Sequence, residues 1–441
     1  MMNQLSFVGY CRPVFPCRQA YFFQKYQDFP KIFLFTSDKY RNIISHGTSM
    51  NQLSQDKIQG TGSPGAKVST RDRLIQSGIQ LLSQKWLSEV SVADICRNAL
   101  LSNGIFYRYF DTKERLFLEI LEQYYQVLST AFSTLAGLTG PEGIEALCKT
   151  VFELTDKHRD LTSIFREGQY RYYEFERRIN RLYEMTLTGI LGRNPSRAQA
   201  IYAMAGIRFL AFRRTYHGIQ ADVPTVARFL TDGIFDGPQP DWAKVFRIEV
   251  SPLPMKLEKT TAETLIGAGK ELFGRQGFHD VNIHQITQQA KVSVGTFYNY
   301  FTGKEEFYEK VISTVSHELR QAISRNLSKD LSRLELELQG MVLFAFYISN
   351  IDPSCYNLVR EGEFVTPRAV REYYDAFARG YAKHMEGVRS GDSQVAGNFL
   401  MGLSHFFGLA ILHDPGGYQS LAKNLIQDLG TLLLKGISFQ T

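Results

Sequence analysis

The chain has 441 residues, enough for two or three domains that each bury a core of their own. Its formal net charge of +6 and pI near 8.9 fit nucleic acid as a partner and fit an ordinary solvated surface equally, so charge alone decides nothing. Cys11, Cys17, Cys96, Cys148 and Cys355 form no C-x-x-C pair and no zinc spacing, which predicts a reducing cytoplasm and no metal site, and no unbroken apolar run approaches the roughly 18 residues that cross a bilayer.

Residues 1–66 stand apart. They are rich in aromatics without helical or alternating periodicity, and they end in Gly60-Thr61-Gly62-Ser63-Pro64-Gly65. Met2-Asn3-Gln4-Leu5-Ser6 recurs as Met50-Asn51-Gln52-Leu53-Ser54. Two readings stay open: a poorly ordered extension, or a true start at Met50.

From 67 to 117 the pattern turns helical. Ser69-x-x-Asp72, Ser91-x-x-Asp94 and Asp111-x-x-Glu114 are capping signals for a first, second and fourth helix, and Ser102 opens a short third one. Phe106 and Phe110 at i, i+4 anchor that third helix, which leaves Asn103, Ile105, Tyr107 and Arg108 facing outward. Residues 118–235 continue with apolar positions at i, i+3 and i+4 and few prolines, the texture of a helical bundle. Asp236-Gly237-Pro238-Gln239-Pro240 and Ser251-Pro252-Leu253-Pro254 mark a linker over 236–256, within which Trp242 to Val250 are expected to dock.

The pattern then starts again. Over 257–306, Thr260-x-x-Glu263, Asn282-x-x-Gln285, Ser293 and Thr302-x-x-Glu305 repeat the capping series, with the first helix stopping near Gly277 and a reading helix of about two turns capped by Ser293 and anchored by Phe297 and Phe301. Its outward residues are Val294, Thr296, Tyr298 and Asn299, and a second bundle follows over 307–441. The register is the same throughout: 297 − 106 and 304 − 113 both give 191. Such a period is far longer than the roughly 20–50 residues of a solenoid unit, so a whole domain has been duplicated. Two short helices joined by a tight turn, the second polar near its N-terminus, is the geometry that places a helix in a major groove.

Ser-Asn-Gly-Ile-Phe-Tyr-Arg-Tyr-Phe-Asp-Thr-Lys-Glu at 102–114 and Ser-Val-Gly-Thr-Phe-Tyr-Asn-Tyr-Phe-Thr-Gly-Lys-Glu at 293–305 resemble the hallmark string of the TetR-like repressor family. The resemblance implies an all-α fold of two tandem TetR-like units, each a helix-turn-helix domain followed by a ligand-binding and dimerisation bundle. It implies contacts of Tyr107, Tyr109, Tyr298 and Tyr300 with phosphate or bases, of Ile105 and Thr296 with base edges, and of Lys113 and Lys304 with the DNA backbone; the tyrosines at 109 and 300 are equally readable as half-buried packing. Copy one departs from the pattern at Trp86, where copy two has Gly277, and at Leu100, a turn position where the family usually has glycine. A bulky residue in a left-handed turn is strained, so distortion is expected there. Arg108 against Asn299 and Asn103 against Val294 predict that the two copies read different sequences, since arginine favours guanine and asparagine adenine.

The bundles echo one another less regularly. Arg166-Glu167-Gly168-Gln169-Tyr170 recurs as Arg360-Glu361-Gly362-Glu363-Phe364, and Tyr172-Tyr173-Glu174 as Tyr373-Tyr374-Asp375, at offsets of 360 − 166 = 194 and 373 − 172 = 201. Glu167, Tyr170, Tyr173, Glu361, Phe364 and Tyr374 are the candidates for an effector pocket, against the plainer reading that they pack and pair along helices. Met204 to Phe212 and Met401 to Leu409, with Gly206 and Gly402, look like helices packing between bundles.

No catalytic set emerges. Gly267-Ala268-Gly269-Lys270-Glu271 has Thr264 in place of the first glycine of a phosphate loop and Glu271 in place of its hydroxyl, and neither a His-Glu-x-x-His pair nor a Gly-x-Ser-x-Gly elbow occurs. The expectation is a cytoplasmic, non-enzymatic regulator with no cofactor. Its partners would be a double-stranded DNA operator and a small-molecule effector, bound as an intramolecular pseudo-dimer or a homodimer and without a membrane. The alternative is a ligand-binding or interaction protein whose reading helices have degenerated.

Overall fold

The computed structural model describes residues 69–251, 259–383, 388–389, 392–412 and 418–439. The N-terminal expectations at 1–66 therefore lie outside the described residues, as do Pro252 and Pro254 of the linker.

The first reading domain is α1 (Thr70–Leu82), α2 (Val92–Asn98) and α3 (Asn103–Phe106). Ser69 accepts from the Asp72 N–H, and Ser91 with Asp94 forms the expected reciprocal box. α4 (Lys113–Ser133) runs unbroken out of this domain into a bundle with α5 (Gly140–Lys157), α6 (Arg159–Arg171) and α7 (Tyr173–Leu191). Its cap is Thr112, not Asp111, because the threonine oxygen is the one that accepts from Arg115 N–H. α8 (Arg197–Met204) passes through a π turn, Ala205–Phe209, into α9 (Leu210–His217), and α10 (Val223–Asp232) closes the half.

The link carries α11 (Trp242–Phe246), which does dock: Asp241 N–H donates to Glu335 at 2.7 Å, and Gln339 Nε2 donates to the carbonyls of Lys244 and Arg247. The second half repeats the order with α12 (Thr261–Gln276), α13 (Ile283–Ala290), α14 (Val294–Tyr298) and α15 (Lys304–Asn326). After them come α16 (Arg333–Phe346), α17 (Cys355–Val365), α18 (Pro367–Ala382), α19 (Ser393–Leu412) and α20 (Tyr418–Lys435). At the head of α15, Glu306 rather than Glu305 reaches back to Thr302, taking both its N–H and its hydroxyl. The reading helices are also shorter than the two turns expected, at four and five residues.

Among the described residues the fold is all-α and built as two tandem units, each a reading domain followed by a bundle. Their seam pairs α8, α9 and α10 with α19 and α20 and is reciprocal down to the backbone. Ile234 N–H donates to Leu433 O and Ile437 N–H to Leu230 O, both at 2.7 Å, and 437 − 234 and 433 − 230 both equal 203. Gly233 and Gly436, again 203 apart, have positive φ of 84° and 67°, and a Cβ on either would lie 2.6 Å or less from the other half's backbone. Only glycine satisfies both demands. Farther along, a Cβ on Gly206 would meet Phe399 and one on Gly402 would meet Phe209. α19 includes a stretch, Ser393–Ile411, long and apolar enough to span a membrane, but 72% of it is buried against the rest of the protein, as suits a core helix.

Candidate nucleic-acid interface

Each reading helix is held from below and open above. Phe106 and Phe297 are fully buried and Phe110 and Phe301 nearly so, as the i, i+4 spacing requires. Ser102, Asn103, Arg108, Ser293 and Asn299 are exposed; Ile105, Val294 and Thr296 are half-buried. The tyrosines are the telling residues: Tyr107, Tyr109, Tyr298 and Tyr300 are 59%, 44%, 55% and 48% exposed, so the rings at 109 and 300 reach solvent although about half of each is covered. Exposed aromatics at four matched positions form a surface suited to phosphate and base contacts. Ser293 Oγ accepts from Thr296 N–H and bonds its hydroxyl at 2.8 Å, whereas Ser102, at the same cap position, makes no such bond.

The two lysines turn back into their own domains. Lys113 Nζ donates to the carbonyls of Leu87 and Val90 at 2.7 and 2.8 Å, and Lys304 Nζ to those of Phe278 and Val281 at 3.0 Å each. The long side chain folds back under the turn joining the first two helices, where carbonyls without helix partners need a donor. Each ammonium acts as a clasp inside its domain through two of its three donors; Lys304 also lies over the Phe278 ring, and burial lowers its pKa.

The expected departures of copy one resolve differently. Leu100 and Lys291 are the non-glycine residues with positive φ among those described, at 54° and 57°, so both copies use a left-handed turn without glycine. In copy one, Arg73 donates to the carbonyls of Ala99 and Leu100 and braces that turn. Trp86 carries no such strain: its φ of −61° and ψ of 145° are extended, because α1 stops three residues earlier than α12 in register. Its ring is buried between the two halves, stacked on His279 at 5.8 Å, edge-on to Phe364 at 4.7 Å and under Arg171 at 4.4 Å. The reading domains thus touch directly, a contact that the sequence signals only by a tryptophan where its repeat has glycine.

The described candidate effector residues pair and pack along helices, the plainer of the two readings. Glu167 takes the Leu87 N–H, and Glu361 takes the Phe278 N–H at 2.7 Å. These are matched struts from α6 and α17 to the loop after the first helix of each reading domain, since 278 − 87 is again 191. Burial pushes the Glu361 carboxyl up to about 7 and raises that of Glu167 as well. Tyr170 and Phe364 pack on Trp86, and Tyr374 donates to Glu363. Tyr173 opens α7, and its side chain lies outside the described residues. None of the six lines the cavity of about 80 Å³ that opens in the first bundle beside the seam, among Tyr124, Phe165, Arg166, Arg208, Arg360 and Phe406. Sequence reading missed these arginines because each looks like an ordinary helix-face charge. Among the described residues no group of three His, Cys, Asp or Glu is placed to hold a metal ion.

Residues 74–120 and 265–311 both match the family described as bacterial regulatory proteins, tetR family. The chain carries two tandem TetR-like units. The two matched spans are again 191 apart and end just inside α4 and α15. Among curated proteins, the probable HTH-type transcriptional regulator YttP of Bacillus subtilis is 33% identical over 106 residues, 23% of this chain and 51% of that protein. The HTH-type transcriptional repressor KstR2 of Mycolicibacterium smegmatis is 33% identical over 85 residues, 18% of this chain and 42% of that one. The chain spans about half the length of the curated relatives it matches. Among solved structures, the fatty acid degradation regulator FadR of Bacillus halodurans aligns over 42% of this chain and all of its own length, at 17% identity and a TM-score of 0.36.

Proposed function

We propose that the protein is a sequence-specific DNA-binding transcriptional regulator, a cytoplasmic repressor released by a small-molecule effector. Its two TetR-like reading heads act as an intramolecular pseudo-dimer. The observation that carries the reading is the pair of exposed tyrosine-bearing helices, Tyr107 with Tyr109 and Tyr298 with Tyr300, on domains fixed to one another by the reciprocal seam. Paired heads address successive major grooves about 34 Å apart. The differing residues, Asn103 and Arg108 against Val294 and Asn299, favour two unlike half-sites.

Release has a mechanical route. α6 presents Phe165 and Arg166 to the cavity and, between Arg166 and Gly168, Glu167 to the Leu87 N–H. A ligand that moves α6 therefore moves the first reading head through Glu167 and, through Tyr170 against Trp86, its contact with the second. A small rotation spoils the fit to successive grooves.

The test is selection of genomic fragments by the full chain, followed by footprinting and the mass of the complex. One chain on two unlike half-sites is the expected result, with Tyr107→Ala and Tyr298→Ala each weakening it while leaving the fold intact. A perfect inverted repeat bound by two chains would replace the intramolecular reading with a homodimer, and the absence of any specific site would sink the regulator.

A further inference from the structure

We propose that the seam between the two bundles binds one small organic acid per chain, with the acid's carboxylate on Arg360. This rests on the effector reading above and gives the effector a chemical class. The cavity draws its walls from both halves, Tyr124, Phe165 and Arg208 from the first and Arg360, His405 and Phe406 from the second. A single water needs roughly 10–15 Å³ of such space, so about 80 Å³ has room for about five to eight water-sized groups, the scale of a compact organic molecule.

Charge in this cavity does not balance. Arg208 pairs with Glu176 at 3.3 Å, and Arg166 pairs with Glu363. Arg360 has no carboxylate within ion-pair distance among the described residues; its neighbour is the Tyr170 ring, 5.4 Å from the guanidinium carbon. The duplication explains why. The offset of 194 carries Arg166 to Arg360 and Gln169 to Glu363, so the two-fold counterpart of the Arg166 and Glu363 pair is Arg360 with Gln169. A neutral amide stands where symmetry calls for a carboxylate, and its oxygen is already taken by Arg208 Nη2 at 3.0 Å. His405 adds no positive charge, because burial holds its imidazole neutral, down to about 3.

A half-buried guanidinium with open donors beside aromatic walls selects a carboxylate on an apolar body. The opposite wall asks for a donor: Glu176 Oε2 is buried and makes no hydrogen bond, while its partner oxygen serves Arg208. A hydroxyl or amine on the acid completes it.

The second half offers no such lining at the corresponding positions. Carried across by the offsets 194, 201 and 402 − 206 = 196, Thr162 becomes Tyr356, Glu176 becomes Phe377 and Arg208 becomes Ser404. Tyr356 is buried and bonds to His405, and Ser404 is held by the Tyr381 hydroxyl at 2.9 Å. The polar groups there are already paired and the Glu176 carboxylate has no counterpart, which favours one site per chain.

The test is calorimetric titration of the full chain with 4-hydroxyphenylacetate and with its neutral amide, 4-hydroxyphenylacetamide. The acid is expected to bind at one site per chain, about tenfold or more tighter than the amide, the scale of a charge-assisted contact. Arg360→Gln removes that preference, and Arg360→Lys keeps part of it, which separates lost charge from lost folding. Gln169→Glu supplies the missing carboxylate from within and weakens the acid about tenfold while the melting temperature holds or rises. Two sites per chain, equal binding of acid and amide, an undiminished preference in Arg360→Gln, or no heat from the acid at millimolar concentration would each overturn the proposal. Because the titration contains no DNA, a failure here leaves the DNA-reading proposal standing, and a failed fragment selection leaves acid binding standing.

Discussion

Replacing Glu361 with glutamine should flatten the pH dependence of stability. The carboxyl accepts the Phe278 N–H at 2.7 Å and is 5% exposed. Burial is the largest influence on it and moves its pKa from 4.5 in a solvated chain to about 7 in the fold. A raised folded value means that the native state holds the proton more tightly than the unfolded chain does. Its contribution is therefore present in full below pH 4.5, declines across the interval, and is gone once the pH has passed about 7. At about 1.4 kcal/mol per pH unit, the interval corresponds to a loss on the order of 3 kcal/mol. Glu337, pushed up to about 7 by burial, adds a loss of the same sign to the wild type, so the informative quantity is the difference between proteins. Glu361→Gln keeps an acceptor for Phe278 and cannot ionise. Urea unfolding at pH 5, 6, 7 and 8 should show the wild type losing on the order of 3 kcal/mol more than the variant across that range. Parallel curves would refute the reasoning, since they would mean that the carboxylate is ionised in the fold at little cost.

Other consequences follow from the reading domains and the seam. Lys304→Met removes the donor to the Phe278 and Val281 carbonyls and should cost about 1–3 kcal/mol of stability, while the salt dependence of DNA binding keeps its slope. A slope shallower by about 0.9 would instead place the ammonium on a phosphate. Lys291→Gly relieves a left-handed residue at φ 57° and should raise stability by about 0.5–1 kcal/mol in urea, more than Leu100→Gly, whose turn Arg73 already braces. Gly436→Ala drives a Cβ into the Thr231 carbonyl of the other half and should separate the unfolding of the halves into two calorimetric transitions; one unshifted transition would show that the seam tolerates the methyl.

What the sequence discloses is what lies inside one repeat. The capping boxes at Ser91, Thr260 and Asn282, the buried Phe106 and Phe297 and the outward tyrosines all depend on residues within about five positions of one another, and periodicity reports such relations directly. Lys113 escaped that reading because its partners, Leu87 and Val90, are 26 and 23 residues away, and a long flexible side chain gives no sign of which way it folds. The Arg-Glu-Gly echo serves both readings left open for it: Arg166, Gln169, Arg360 and Glu363 line the cavity, while Glu167 and Glu361 brace the heads. Recurrence in both copies marks a need that both copies share, and holding a reading head to its bundle is such a need: hence Glu167 on Leu87 and Glu361 on Phe278.

A duplicated chain has a second layer of information, in the places where its copies disagree. A homodimer must repeat every contact across its axis, so a pair such as Arg166 with Glu363 or Trp86 with His279 would come twice. Fusion lifts that constraint. Here Trp86 meets His279 once, its own counterpart being Gly277, and Gln169 stands at the counterpart of Glu363. The first difference joins the heads; the second leaves a cation uncompensated beside a cavity that both bundles border. If the two departures belong to one device, restoring symmetry at the second should act like a permanently bound acid. Gln169→Glu is then expected to lower operator affinity without any effector present, and Arg360→Gln to leave the protein on DNA when acid is added. A Gln169→Glu protein that binds its operator as tightly as the wild type would show that the charge at the seam is not coupled to the heads.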